Sequence, residues 1–455
     1  SVRGTPLMMH DICQAPVSLD DPALVEEWNG MIRAFLAHGT ATPTHLGAVL
    51  SGAPQFAMGF AAKGLFSLMM GRKELWDVAH QAGKDAVAAL AVSGGSARER
   101  LWVRALGEWL DSRPSGAIAA MERVLADHPT DTLSAKVSHA IRFILGDGVG
   151  MRASIENVLD AHKGHALEGY VHGCHAFTLE ETGEYDAAET AGLRGLELAP
   201  DDAWGLHAVA HVYDMTARPD AGITLIEDNV AAWDHCNNFR YHVWWHKALL
   251  HLDRGENDIV LALYDHQIRA DKTDDYRDIA NATSLLMRLE LEGTQVGDRW
   301  DELADFAQNR TDDGCLVFAD LHYQLALGAA GRDDAAAAMT ARFAIDAARQ
   351  GEMPARVADP GKAALSGLNA FAEGRYDAAF RDLAAARPGM QTIGGSHAQR
   401  DVFERMTIDA GLRSGMYDAT EALLEDRIAR RSGAVDRFAA MRLASIQDAR
   451  RIPAQ

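Results

Sequence analysis

Apolar positions recur three and four residues apart through most of the chain, and nowhere do they alternate with period two over a strand-length run. A helix advances about 100° per residue, so this spacing gathers side chains on one buried stripe. Glycine or proline interrupts the pattern at helix-length intervals. The chain is therefore expected to be all-α. The opening residues, with Pro6 and Pro16, read as an irregular lead-in. Asp21 is expected to cap a helix with Pro22 at its first position, running to about His38 and burying Leu24, Trp28, Met31 and Phe35. Thr42, as cap, and Pro43 begin a second helix in the same way. Phe56 to Val92 reads as a helical hairpin turning at Gly71–Arg72.

From about Arg98 the pattern repeats. One unit runs LWVRALGEWLDSRPSGAIAAMERVLADHP to Pro129, another GYVHGCHAFTLEETGEYDAAETAGLRGLELAP to Pro200. Each has a small residue, Ala117 or Ala188, twelve positions before its closing proline. Gly183 and Tyr185 form the Gly-x-Tyr turn of a tetratricopeptide unit, about 34 residues folded as two antiparallel helices. Similar turns follow at Gly255, Gly331, Gly374 and Gly415, unevenly spaced, with insertions around Gly293–Arg299 and Gly351–Pro360. The expected fold is a superhelical array of degenerate helical hairpins, an α-solenoid with capping helices at both ends. Residues 1–97 form the N-terminal cap, 98–430 the superhelix and 431–455 a C-terminal capping helix, all one continuous unit. The arginines from Arg427 to Arg451 read as the solvated face of that terminal helix.

Composition narrows the function. The 455 residues carry a formal net charge of −21, which disfavours nucleic acid and anionic membrane surfaces as partners. Cys13, Cys174, Cys236 and Cys315 are scattered, with no CxxC pair, as suits reduced thiols in a cytoplasm. Ser1 to Gln14 lacks the apolar core of a signal peptide, and the most apolar window, Phe56 to Met70, is too short to span a bilayer. A cytoplasmic protein is expected.

In tetratricopeptide units the first helix of each pair lines the concave surface. On one such helix Trp204, His207, His211 and Asp214 share a stripe; on the next lie His242, Trp245 and His246, with Trp244 assigned to packing. The preceding first helix offers His172, His175 and Phe177. Later ones offer Tyr276, Asp278, Asn281 and Arg288, then Asp320 and His322, then His397, Gln399, Arg400 and Asp401. Polar and aromatic groups thus fall in phase on successive inner helices. His207 and His211 have the i,i+4 spacing that chelates zinc, with Asp214 one turn on as a third ligand. Ala208, however, stands where a zincin helix has its glutamate, and no metal or cofactor is assigned. Metal-free acid–base chemistry would pair His211 with Asp214, or His397 with Asp401. No nucleophile elbow, phosphate loop or dinucleotide fingerprint occurs, and Cys174 beside His175 is the one nucleophile to consider.

The runs HAFTLEETGEYDAAE, HAVAHVYDM, CNNFRYHVWWHKALLHLDRGE, LYDHQIR, DDYRDIANATSLLMRLELEG, VGDRWDELA, FADLHYQLAL and GGSHAQRDVF resemble the tetratricopeptide repeat protein 38 family and its bacterial relatives. The resemblance is strongest from Gly169 to Asp401 and implies an all-helical superhelix. It implies no reaction and no catalytic residue. The leading expectation is a concave interior, lined by His, Trp and Asp, that binds a small or extended polar ligand and favours a cationic moiety. The binding residues would be Trp204, His175, Trp245, Asp278, Asn281, Asp320, His322, His397, Arg400 and Asp401. One alternative is a hydrolase or lyase using His207, His211, Asp214, His242 and His246. Another is a scaffold gripping a peptide in its groove. Self-association is left open.

Overall fold

The structure, a computed structural model, describes residues 8–452; the expected lead-in before Met8, Pro6 included, lies outside them. A two-residue antiparallel pair, β1 (Met9–His10) and β2 (Pro16–Val17), precedes an otherwise helical chain. The N-terminal helices are α1 (Pro22–Leu36), α2 (Thr42–Gly52), α3 (Ala57–Met69) and α4 (Lys73–Ser93). Hairpins follow: α5 (Ala97–Leu110) with α6 (Pro114–Asp127), α7 (Thr132–Ile144) with α8 (Gly148–Glu156), and α9 (Glu168–Glu181) with α10 (Tyr185–Leu198). Next come α11 (Ala203–Met215) with α12 (Pro219–Asp228), α13 (Phe239–Asp253) with α14 (Asn257–Leu263), and α15 (Tyr276–Leu291) with α16 (Arg299–Ala307). The last are α17 (Val317–Ala329), α18 (Asp333–Ala347), α19 (Glu352–Arg356), α20 (Lys362–Ala372), α21 (Tyr376–Ala386), α22 (His397–Arg413), α23 (Tyr417–Arg430) and α24 (Arg437–Arg451).

The repeating turn has one physical cause. Gly183, Gly374 and Gly415 sit at φ +84°, +75° and +75°, where a residue without Cβ ends a helix at least cost. Each turn then feeds the next helix two residues later. From α7 to α16 the first helix of each hairpin is the more buried one. On α11, eleven residues from Ala203 to Met215 are buried, whereas α10 buries only Tyr185, Ala188, Gly192 and Gly195. The array is a superhelix of tetratricopeptide-like hairpins with its first helices toward the axis.

The array curls until distant parts meet. The segment after α1 pairs Gly39 with Cys236, ahead of α13, and the His38 carbonyl accepts from the Asn237 N–H at 2.8 Å. Arg72 reaches Asp274 at 2.7 Å, and Arg310 reaches Glu74 at 2.8 Å. On another side the Tyr185 hydroxyl donates to the Arg430 carbonyl at 2.9 Å, and Gln391 donates to the Gly146 carbonyl at 2.7 Å. The N-terminal helices therefore do more than cover an end, because they also dock against the middle of the array. Among the described residues no helix is long and apolar enough to cross a membrane.

Several local expectations are corrected. α1 is capped by Asp21 as foreseen, but its buried face is Val25, Trp28, Met31, Ile32 and Leu36, rotated away from Leu24 and Phe35. Thr42 is the first residue of α2 rather than its cap. The C-terminal stretch is two helices, α23 and α24, with a turn between. Its arginines are only partly a solvated face: Arg430, Arg437, Arg450 and Arg451 are exposed, whereas Arg427, Arg431 and Arg442 are buried and bound to carboxylates. Arg427 alone makes four charge-assisted bonds, to Asp401 and Asp436, all between 2.8 and 2.9 Å.

Candidate binding cavity and histidine cluster

The curl forms a half-open cavity of about 620 Å³, within the size range of small-molecule sites. The N-terminal helices contribute Phe35, stacked on Phe66 at 4.6 Å, with Met69 and Met70. α7 brings Lys136, His139 and Phe143, spaced three and four apart so that they share one face. Trp204 and His207 come from α11, His242 from α13, Tyr276, Asp278 and Asn281 from α15, and Phe318 from α17. Ile393 to Ser396 and Gln399 close the remaining side. Most of the wall is aromatic or aliphatic.

Few polar groups interrupt it. Lys136 is only 5 % exposed; its ammonium lies 4.4 Å over the Trp204 ring and 3.8 Å from the Cys174 sulfur. Among the described residues no carboxylate lies within ion-pair distance of it, and the buried Asp202 acts on it only from farther off, an expensive condition for a buried cation. Trp204 Nε1–H donates to His139 Nε2 at 3.0 Å. Arg277, by contrast, is spoken for by Asp275 at 2.7 Å. Asp278 accepts from Thr273 at 2.6 Å and Asn238 at 3.2 Å, and burial, with Asp275 beside it, pushes its carboxyl up to about 6.

Behind one wall, α11 and α13 present matching i,i+4 pairs. His207, His211, His242 and His246 each offer a ring nitrogen, and these nitrogens all lie within 4.8 Å of one another. His207 Nε2 is 3.0 Å from His211 Nε2, and His242 Nε2 is 3.1 Å from His246 Nε2. Burial drives all four toward the neutral form: His211 falls to about 3, His242 to about 4, and His207 and His246 well below the usual range. For His207 and His246 the neighbouring imidazoles add to the effect.

His211 also faces a second group. Glu180 and Glu181, at the end of α9, meet His397 at the start of α22; His397 contacts Glu180 and lies 2.9 Å from Glu181. Burial alone would lower the His397 pKa, but the two carboxylates overcome it and lift it to about 10. Burial, with Glu181 alongside, raises Glu180 well above the carboxylate range, so this pair favours one shared proton beside an imidazolium. The neighbouring cleft, about 380 Å³, is lined by Glu181, His397, Arg400 and Arg430.

The structure thus gathers part of the expected site and disperses the rest. Trp204, His207, His242, Asp278 and Asn281 line the cavity, with His211 and His246 directly behind. Trp245 is fully buried, donating to Ser284 at 3.2 Å and stacked on His242, so it supports a wall rather than lining it. Trp244 packs edge-on against Trp233 at 4.9 Å, as its packing assignment implied. His397 and Arg400 line the neighbouring cleft, and the Arg400 guanidinium is turned to the Gly394 and Gly395 carbonyls. His175 is drawn to Glu156 at 2.9 Å, away from the cavity. Asp320 is paired with Arg342 at 2.8 Å, and His322 gives its Nδ1 to the Phe318 carbonyl at 2.7 Å within the core. Asp401 belongs to the arginine network around Arg427, so the expected His397–Asp401 pair does not form. Asp214 faces Arg431 and Arg405 rather than His211, which meets Glu180 instead. Cys174 is buried with its thiol pKa raised, and His175 points elsewhere, so the two make no nucleophile–base pair.

Lys136, His139, Glu180 and Glu181 were not anticipated. The α7 stripe was readable from its spacing, but it lies between the two best-formed repeats. Glu180 and Glu181 follow Phe177 by three and four positions on an inner helix, the same signal that marked the histidines.

No known family model matches the chain. Among solved structures, the human IFIT1 dimer with PPP-AAAA is similar at a TM-score of 0.44 and 12% identity, covering 96% of this chain and 96% of that one. The human IFIT1 dimer with m7Gppp-AAAA gives 0.39 and 12% with the same coverage. Yeast Tom70 gives 0.36 and 11%, covering 93% of this chain and 88% of the other.

Proposed function

We propose that the protein binds a small amphipathic molecule in this cavity, with an apolar or aromatic body against the walls and an anionic group at Lys136. One observation carries the reading: a buried ammonium with no carboxylate within ion-pair distance lines a mostly apolar cavity beside the Trp204 ring. An anion there would relieve the desolvation of the lysine, and the stacked rings offer flat apolar area. This replaces the expected preference for a cationic moiety. Asp320 and Asp401 are held by arginines, Asp214 faces two of them, and Asp278 is already bonded to Thr273 and Asn238. The runs that resemble the tetratricopeptide repeat protein 38 family fall mainly on α9 to α17 and α22, of which α11, α13, α15, α17 and α22 contribute to the cavity, and membership of that family is part of the same proposal.

The probe is 1-anilinonaphthalene-8-sulfonate, an aromatic anion whose fluorescence rises in apolar surroundings, displaced by dodecanoate or by dodecyltrimethylammonium. Dodecanoate is expected to displace it at least tenfold more effectively, a difference of about 1.4 kcal/mol. Lys136→Met should remove that preference, and Ala140→Trp, which places an indole in the cavity, should weaken every ligand. Equal displacement by the cation and the anion in the unmodified protein would refute the assignment of the anionic end.

A further inference from the structure

We propose that His207, His211, His242 and His246 form a binding site for a divalent transition metal of zinc-like preference, set into the wall of the cavity. The site does not depend on the ligand proposed for the chamber. Two i,i+4 pairs on adjacent helices supply four imidazoles, a donor set suited to zinc. Two zinc–nitrogen bonds of 2.0–2.1 Å at a tetrahedral angle place their nitrogens about 3.3 Å apart. The observed nitrogens, 3.0 and 3.1 Å apart within each pair and all within 4.8 Å, need only small side-chain adjustments to meet that geometry.

The partners of the outer ring nitrogens point the same way. His207 Nδ1 lies 2.9 Å from the Trp204 carbonyl, which can only accept, so Nδ1 carries the proton and Nε2 presents a lone pair. His242 Nδ1 lies 2.8 Å from Asn281 Oδ1, with the same consequence. Metal-bound histidines are held in this manner, their second nitrogen donating to a carbonyl or carboxylate.

His211 supplies the decisive observation. Facing the His207 lone pair at 3.0 Å without a metal, its Nε2 must carry the proton. Its Nδ1 is then a bare acceptor that only a proton on Glu180 Oε2 could satisfy, and at 3.6 Å neither buried atom has a hydrogen-bond partner. A buried acceptor left without a donor is costly. A cation among the four Nε2 atoms resolves the conflict. The His211 lone pair turns to the metal, its proton sits on Nδ1, and Glu180 becomes the acceptor that orients the ring. Asp214, the third ligand expected from the sequence, has no place in this set.

Protein stripped with a chelator would be titrated with zinc against a chromophoric competitor, and separately with cobalt(II), whose visible absorption reports coordination geometry. The expected result is one tightly bound equivalent and the intense visible bands of tetrahedral cobalt. His211→Gln and His246→Gln should each weaken zinc at least 100-fold, whereas His80→Gln, on the exposed face of α4, should change nothing. Asn281→Ala should weaken it about 10- to 100-fold by freeing the His242 ring; this variant decides the matter if the histidine variants do not fold. Six-coordinate cobalt spectra, or zinc affinity unchanged in the folded histidine or asparagine variants, would overturn the proposal.

Discussion

Arg427→Met is expected to cost about 3–5 kcal/mol at pH 7, because it strands two buried carboxylates whose principal cation it removes. Arg427 is 2 % exposed and bridges Asp401 on α22 to Asp436 ahead of α24, with Arg405 and Arg431 as weaker contributors. Burial works against both carboxylates, yet the arginines hold Asp401 and Asp436 well below the usual range. A depressed carboxyl pKa contributes stability that is fully present above the unfolded value, near 3.8, and is lost as pH falls through the folded value. The gap between wild type and variant should therefore be constant from pH 7 to about pH 5 and narrow below pH 4. Urea unfolding along that series reads the sign. A gap that does not narrow would assign the loss to the guanidinium packed on Phe438, 5.1 Å away, rather than to charge.

The second large effect belongs to Gly146. It adopts φ +72° at the end of α7, and a Cβ there would lie 1.8 Å from the Gln391 carbonyl oxygen. Gly146→Val must both hold a left-handed backbone and push aside the segment from Arg387 to Ile393. Strain of about 1–3 kcal/mol and crowding of similar size give an expected loss of about 2–4 kcal/mol. Residues 393–396 line the cavity, so fluorescent-probe affinity should fall with stability. Gly183→Ala is the control: φ is +84° with no atom within 4 Å, so only the strain remains. Equal losses in the two variants, with probe binding intact, would show that the segment yields freely.

The helices were legible because the information that makes them is local. Asp21 before Pro22, the Gly-x-Tyr turn at Gly183 and Tyr185, and apolar stripes of period 3.6 each act within a few residues. Phase along the repeats also identified which helices face inward, and so placed His207 and His242 on the cavity wall. Phase cannot say what crosses the axis. His211 was matched to Asp214 because they share a helix, but its carboxylate is Glu180 on another hairpin. Asp401 was read as a partner for His397, four residues before it, while Arg427, twenty-six residues on, holds it more strongly. The second histidine pair, His242 and His246, has the same spacing as the first, and its meaning appears only when α11 and α13 lie side by side. Three of the terminal arginines, Arg427, Arg431 and Arg442, misled for a related reason: a run of charges looks solvated until long-range pairing buries part of it.

The docking of the N-terminal helices against the middle of the array changes how the molecule should come apart. In an open solenoid each hairpin touches only its neighbours, so end repeats fray independently and stability is nearly a sum over units. Here Arg310 and Glu74 are separated by 236 residues, and Tyr185 and Arg430 by 245, yet they are in contact. Loop-closure entropy grows only with the logarithm of length, about 0.6 kcal/mol per doubling, so such closures are thermodynamically tolerable once many contacts share them. A chain closed on itself in this way has no free end from which melting can begin. Denaturation should take on the all-or-none character of a globular domain, and folding should be slowed by the search for these distant contacts rather than by the helices themselves.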